Sequence, residues 1–448
     1  MELDEYKSEI IPNSIAQSSL AMYSDHEPAI RWSPAFLTHR DIKPKSLDVI
    51  TCATVDKILF EESSAGNSLV LARGVRVIVN NHPVDLLIDR LGSGLGSGLG
   101  EVALTGGSIG NTAILHRSGL GPSKLLESLG IPIIVANDEI GHGVDHEEIA
   151  VMYEWNEKFN TISGKLPKGG VMGWPLVMFS KFIPENDNLF GAEYSNHRKS
   201  HSQFFEAHLG AGYAEPYTSF PSFVVTPSCI RPSMGPEGGF RVQIKNKDPF
   251  SSCIVLQGDH SHDIETMAQG VLSVTKLMRP LIDANIIGRQ LQPPFEIKAE
   301  NKHDLLEWIK SNHFTVYHWA CTCQSGINGR VADEQFRVRR NKNEVIHNLR
   351  VGSAASLPEL SEANPHLTVA AFAVALADAM ALSLSQRLSS IYKEPVEVSA
   401  ARSSLIERRD RGISGRPMIR RAGQESPDIK ELAGRHFKEL HSLRERDN

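Results

Sequence analysis

Hydrophobic and polar positions alternate in several short stretches of this chain. Leu47 to Phe60 reads as a strand, a turn and a second strand, and Gly74 to Ile88 as a hairpin turning near Asn80-Asn81. Glu101 to Leu104 predicts a further strand. Gly107 to Ser118 places its apolar residues at helical spacing and stops at Ser118-Gly119. Leu125 to Gly130 is a shorter helix closed by glycine, and Ile131 to Val135 a strand. Pro221 to Cys229, Gly239 to Ile244 and Cys253 to Gln257 alternate as strands of one antiparallel sheet, with Asp248-Pro249 at a turn. Leu367 to Leu384 is different, being apolar on every side with one charge, Asp378. It is about long enough to span a bilayer. Its alanine content suits tight contact inside a globular core, so it reads as a buried helix, and no membrane span is expected. Near the end, Ser426-Pro427-Asp428 is a helix start, with Ile429, Leu432, Phe437, Leu440 and Leu443 near one face.

Composition narrows the class. A chain of 448 residues, 41% hydrophobic and 22% charged, is an ordinary globular protein with room for two to three domains. A formal net charge of −6 gives no electrostatic reason for a nucleic-acid partner. Five cysteines, an odd number in a long chain, point to free thiols in a reducing compartment. The acidic start Met1-Glu2-Leu3-Asp4-Glu5 has no apolar leader core, so a cytoplasmic location is expected. Leu91 to Gly100 carries glycine at every second residue and precedes a strand, which describes a flexible linker and not a dinucleotide-binding turn. Ala400 to Arg421, rich in arginine, serine and glycine, reads as extended chain.

Several residues could carry chemistry. His318 has an imidazole whose ordinary pKa of about 6.5 suits proton exchange at neutral pH. Cys321 and Cys323 follow it, but the cysteine spacing is too short for the usual zinc loops and no second ligand pair lies nearby. No metal site is expected. His142 and His146, with Asp145 between them, read as a loop. In Asp259-His260-Ser261-His262-Asp263, Asp259 or Ser261 reads as a helix cap, with the histidines in solvent.

The order of short motifs around these residues adds a resemblance. Tyr317-His318-Trp319-Ala320-Cys321-Thr322-Cys323-Gln324-Ser325-Gly326 is followed by Gly329-Arg330-Val331-Ala332-Asp333, Asn348-Leu349-Arg350-Val351 with Ser353-Ala354-Ala355, and Asn364-Pro365-His366-Leu367-Thr368-Val369. This resembles the C-terminal signature of the glucose–methanol–choline (GMC) flavin oxidoreductases, which reads YHxxGTCxMG, GVVDxxxRV, NLRVxDxS and NPxxTV. Gly107 to Pro122 is similar to the family's second signature, with Asn111-Thr112 where the family has Ser-Pro. Gly141 to His146 is similar to a shortened GxNLxDH. Cys321 stands at a family glycine, Gln324-Ser325 at Arg-Met, and Ser353 at an aspartate.

The resemblance implies an α/β (α+β) fold of two lobes. An FAD-binding lobe would be drawn from residues 1–149 and 316–384, and an antiparallel-sheet substrate lobe would span 150–315; beyond Ser385 the resemblance ends, and 385–448 reads from its own residues as a charged tail with a terminal helix. It implies FAD as cofactor and a small-molecule alcohol as substrate, oxidised at its CH–OH group with hydride passing to flavin N5. His318 would be the acid/base and Asn364 its companion. Val55 would lie against the adenine, and Ser353, Ala354, Pro365, His366 and Thr368 would face the flavin. The family's opening strand, G-x-G-x-x-G turn and helix are not found here, so the FAD lobe is expected to be incomplete, with weak or lost FAD binding and a possible complementary chain or homo-oligomer. Two other functions stay open: a non-catalytic relative serving as a binding or structural protein, and a redox-neutral lyase on the same scaffold.

Overall fold

The computed structural model describes residues 14–17, 22–23, 30–31, 47–62, 70–88, 100–156, 176–181, 204–213, 221–229, 232, 238–297, 301–361 and 364–392. The linker reading at 91–99 and the tail readings at 400–421 and 426–443 fall outside these residues. The chain divides into two compact units, 1–384 and 385–448, of which the second is described only through residues 385–392.

Five helices are named here: α1 (Gly107–Arg117), α2 (Ser123–Ser128), α3 (Ser261–Asp283), α4 (Lys302–Asn312) and α5 (His366–Tyr392). One mixed sheet joins Ala53–Glu62, Val70–Val79, His82–Leu87, Val102–Leu104, Arg337–Arg339 and Val345–Val351. The hairpin between Val79 and His82 turns through Asn80 and Asn81, both with positive φ, the conformation that a tight two-residue turn requires. Leu47 to Cys52 forms no strand. The first strand there begins at Ala53, just after Cys52 turns through a φ of 54°. Val345–Val351 runs parallel to Val102–Leu104, with Leu349 opposite Val102. Arg350, buried in that strand, grips Glu101 through Nε at 2.6 Å and Nη2 at 3.1 Å, and Ser383 Oγ donates to the same carboxylate at 3.0 Å.

A second, antiparallel sheet holds Pro221–Cys229 at its centre, flanked by Phe204–Tyr213 on one side and by Glu147–Glu148 and Val151–Trp155 on the other. α3 packs on it with Ile264, Met267, Ala268, Val271, Val274 and Met278, a stripe at three- and four-residue spacing that is buried throughout. Full burial of such apolar side chains stabilises by roughly 1.5–3 kcal/mol each. Phe240–Ile244 and Cys253–Gln257 do not join this sheet. They form a separate three-stranded sheet with His142–Gly143, and Ile244 packs against Ala113 and Leu126 of α1 and α2. The sequence reading of one continuous antiparallel sheet is corrected here, because alternation identifies strands but not their partners.

α5 also departs from expectation. Only 6% of its apolar window is buried. Val369, Phe372 and Leu376 make the packed stripe, Phe372 meeting Phe336 edge-on at 5.9 Å, while Leu367, Val374 and Leu382 are exposed. By length and composition this helix could cross a membrane. Among the described residues no element covers its outer face.

Backbones cross closely beside α1. A Cβ on Gly143 would lie 2.4 Å from Ala320 O, and one on Gly239, whose φ is +65°, would lie 2.2 Å from Gly143 O. These glycines let residues 141–144 run directly between the strand Phe240–Ile244 and the segment that carries His318.

Candidate functional site

Residues 141–148 lie antiparallel to 314–322. Gly141 N donates to Thr322 O, Val144 and Ala320 exchange two backbone bonds, and Val316 N donates to His146 O. Glu147 then pairs with Thr315. This register brings Asp145 and His146 to His318, 172 residues beyond His146.

His318 is half-buried. Its backbone N donates to Asp145 Oδ1 at 2.9 Å, and its Nδ1 stands 3.0 Å from His146 Nδ1 with the rings edge-to-face at 5.2 Å. Thr315 Oγ1 donates to Asp145 Oδ2 and accepts from Tyr317 N at 3.0 Å. Burial pushes the Asp145 carboxyl up to about 6, with Glu147 raising it further and its hydrogen-bond donors opposing the rise. His146 is 2% exposed. His142 is equally buried, its Nε2 2.9 Å from Gly238 O, so the reading of this stretch as a plain loop is replaced by a buried, hydrogen-bonded strap.

The floor under His318 is sewn from α1. Ser108 Oγ donates to Trp319 O at 2.6 Å, and Thr322 Oγ1 donates to Ser108 O at 2.9 Å. Asn111 accepts from Gly106 N and donates to both Leu104 O and Gly352 O. Cys321 N, Cys323 N and Ser325 N donate in turn to Ala354 O, Ala355 O and Ser356 O, which zips the His318 segment to the turn at Ser353. Ser353 has φ 69° and ψ −169°, and Cys321 has φ 69°.

Beyond that turn, Asn364 is exposed, Pro365 buried and His366 exposed at the start of α5. The N–H groups of Leu367 and Thr368 precede the first intrahelical bond, Val369 N to Pro365 O at 2.8 Å. Thr368 and Phe372 line a cavity of about 1020 Å³ with Val144, Leu357 and the loop Gln324–Arg330. Val55 lines another of about 470 Å³ with Thr105, Gly106 and Ile114. A helix N-terminus beside a mostly apolar cavity would suit the carbonyl-rich edge of a flavin. Of the residues expected to face the flavin, Ser353 and Ala354 lie in the turn zipped to the His318 segment and Thr368 lines the larger cavity, while Val55, expected at the adenine, lines the other.

A second acid–base group sits one strand residue away. Glu147 Oε2 is 2.9 Å from His313 Nδ1 and 3.5 Å from His260 Nδ1, and His260 is 3.7 Å from Asp263. The Glu147 carboxylate raises the His313 pKa against the effect of burial. His260 is therefore packed against two carboxylates and not, as its sequence suggests, in solvent; Asp259 Oδ1 does receive Ser261 N at 2.9 Å ahead of α3. Burial pushes the Cys321 and Cys323 thiols up to about 12, which suits neither a nucleophile nor a metal ligand. Among the described residues no histidine, cysteine and carboxylate group is arranged to hold a metal ion.

Comparison with known proteins agrees with this architecture. Residues 237–373 match the C-terminal family model described as GMC oxidoreductase. The chain is 27% identical over 373 residues to the oxygen-dependent choline dehydrogenase of Pseudomonas fluorescens (strain Pf0-1), covering 75% of this chain and 56% of that protein. It is 26% identical over 369 residues to the enzyme of the same name from Yersinia pseudotuberculosis serotype IB (strain PB1/+), again covering 56% of it. The chain thus spans a little over half the length of these relatives. In fold it is similar to a formate oxidase, with TM-score 0.63 and 16% identity over 80% of this chain and 64% of the other. It is also similar to the pyridoxine 4-oxidase of Mesorbium loti, with TM-score 0.58 and 17% identity over 78% and 62%. At residues 237–373 the chain thus carries a region that matches the C-terminal domain of the GMC oxidoreductases.

Proposed function

We propose that this chain serves an FAD-dependent oxidation of a small-molecule alcohol at its CH–OH group, with His318 as the acid/base. The observation that carries the reading is the setting of His318. Its backbone is tied to Asp145 and its Nδ1 to His146. Proton exchange with a substrate hydroxyl then falls to Nε2, the other ring nitrogen. Asn364 is assigned to the same substrate oxygen, which its carboxamide can meet as donor or acceptor. The start of α5 at Pro365, His366 and Thr368, with the turn at Ser353 and Ala354, would hold the flavin edge, and Val55 the adenine side. FAD, when bound, supplies the two-electron acceptor. His318 removes the hydroxyl proton, and the Asp145 carboxylate beside it favours the resulting imidazolium. The choline dehydrogenase relatives make choline the first substrate to try.

The test is anaerobic flavin reduction by a panel of alcohols in the FAD-loaded protein. His318→Ala is expected to lower the rate by about 10²–10⁴-fold, with a milder loss in Asn364→Ala. Equal rates in His318→Ala and wild type would remove the acid/base assignment. A retained flavin that no alcohol reduces would remove the oxidation itself.

A further inference from the structure

We infer that His146 is a positioning residue that fixes the tautomer of His318, accepting a hydrogen bond from His318 Nδ1–H so that Nε2 of His318 presents its lone pair. The inference rests on the reading of His318 as acid/base and deepens it. The two Nδ1 atoms are 3.0 Å apart. That distance requires one proton between them: none would set two lone pairs against each other, and two would set two N–H groups in collision. His146 can donate, which places the His318 hydrogen on Nε2 and leaves no base there. Otherwise His318 donates, and its Nε2 can take a proton.

The surroundings favour the second arrangement. His146 is 2% exposed, so a charge on its own ring would be heavily desolvated. The half-buried His318 is the ring able to bear a charge, and the Asp145 carboxylate that holds its backbone stands close by. Once His318 has gained a proton, both of its nitrogens carry hydrogen, and His146 Nδ1 must accept. The second arrangement is therefore the one that exists both before and after proton transfer, with no hydrogen to move between the rings. The groups facing the pair include Asp145, with Thr315 and Trp319 bonded to it, and Glu147 beyond, which is itself paired with His313 and His260.

The test reads the tautomer directly. The full chain, labelled with ¹⁵N-histidine, is examined by long-range ¹H–¹⁵N correlation, with His318→Gln identifying the His318 signals. Wild type is expected to show His318 with a protonated Nδ1 and a lone-pair Nε2. His146→Leu removes the acceptor and is expected to move His318 to the Nε2–H form and lower its pKa by about half a unit or more. His146→Asn, whose carboxamide oxygen can stand near the lost Nδ1, is expected to restore both. An Nε2–H tautomer in wild type overturns the inference, and so does a His318 spectrum unchanged in a folded His146→Leu. Should His146→Leu fail to fold, the wild-type tautomer and the His146→Asn spectrum decide. The two readings fail separately. An Nδ1–H tautomer in a protein whose His318→Ala variant turns over normally sinks the proposed function alone, while an Nε2–H tautomer in a protein silenced by His318→Ala sinks this inference alone.

Discussion

Ser353 occupies a backbone conformation, φ 69° and ψ −169°, that only glycine adopts without cost. Its hydroxyl returns something, accepting from Ala355 N at 3.3 Å, but that bond is long. Ser353→Gly is expected to stabilise the protein by about 1 kcal/mol, seen as a higher urea midpoint with an unchanged slope. A lower midpoint would show that the cap outweighs the strain. Cys321 has the same φ at the position where the family carries glycine, and its thiol is buried in a small cluster with Val144 and Leu357. His318 stands out in the sequence because a motif surrounds it. His142 and His146 stand out in the sequence as a pair around Asp145, but the packing of Asp145 and His146 against His318 does not. Nothing local says that they face a residue more than 170 positions away, and a lone histidine in a loop has no periodicity to betray burial.

Elements were legible where their period was clean. The Asn80-Asn81 hairpin and α1 lie where alternation and helical spacing place them, and α1 ends at Ser118-Gly119. α5 misled because an all-round apolar pattern implies burial on all sides. The apolar contact with the core runs through Val369, Phe372 and Leu376, with Ser383 bonded to Glu101, and composition alone cannot tell a covered face from a bare one. The Asn111 substitution in α1 is the clearest case of a residue explained only in three dimensions. Its side chain bonds Gly106 N, Leu104 O and Gly352 O, tying the helix start to two parallel strands. Asn111→Ala would leave these buried groups without a partner side chain and is expected to cost roughly 3 kcal/mol in denaturant unfolding. A loss below about 1 kcal/mol would mean that water replaces the amide there.

At the scale of the molecule, two buried groups oppose each other as pH changes. Asp145 titrates near 6 when folded against 3.8 ordinarily. Between those values the native state holds a proton that the unfolded chain has lost, so stability falls as pH rises. His116 is pushed down to about 4 from 6.5 by burial, opposed by its contact with Ile140 O. In its window the unfolded chain holds the extra proton, so stability rises with pH. Each shift is worth about 3 kcal/mol and the windows overlap, so between about pH 4 and about pH 6 they nearly cancel. His313 acts elsewhere: its raised folded pKa contributes stability that is lost only at higher pH, as it deprotonates. Asp145→Asn is expected to expose the His116 dependence, with unfolding free energy climbing over this range. His116→Gln is expected to expose the opposite slope. Parallel pH profiles in the two variants would contradict both assignments.

The bonds that define the His318 setting join parts of the chain that are very far apart: 173 residues for His318 to Asp145, 211 for Ser108 to Trp319 and 241 for Asn111 to Gly352. Contacts of such separation are slow to form, because the connecting chain must be ordered before they repay its entropy. During synthesis the hairpin, α1 and the strap at 141–148 leave the ribosome long before the segment that completes them. Until residues 318–356 emerge, Asp145, His146 and Asn111 have no partners for these bonds, and for that interval the buried polar groups of the finished site are a chaperone's concern.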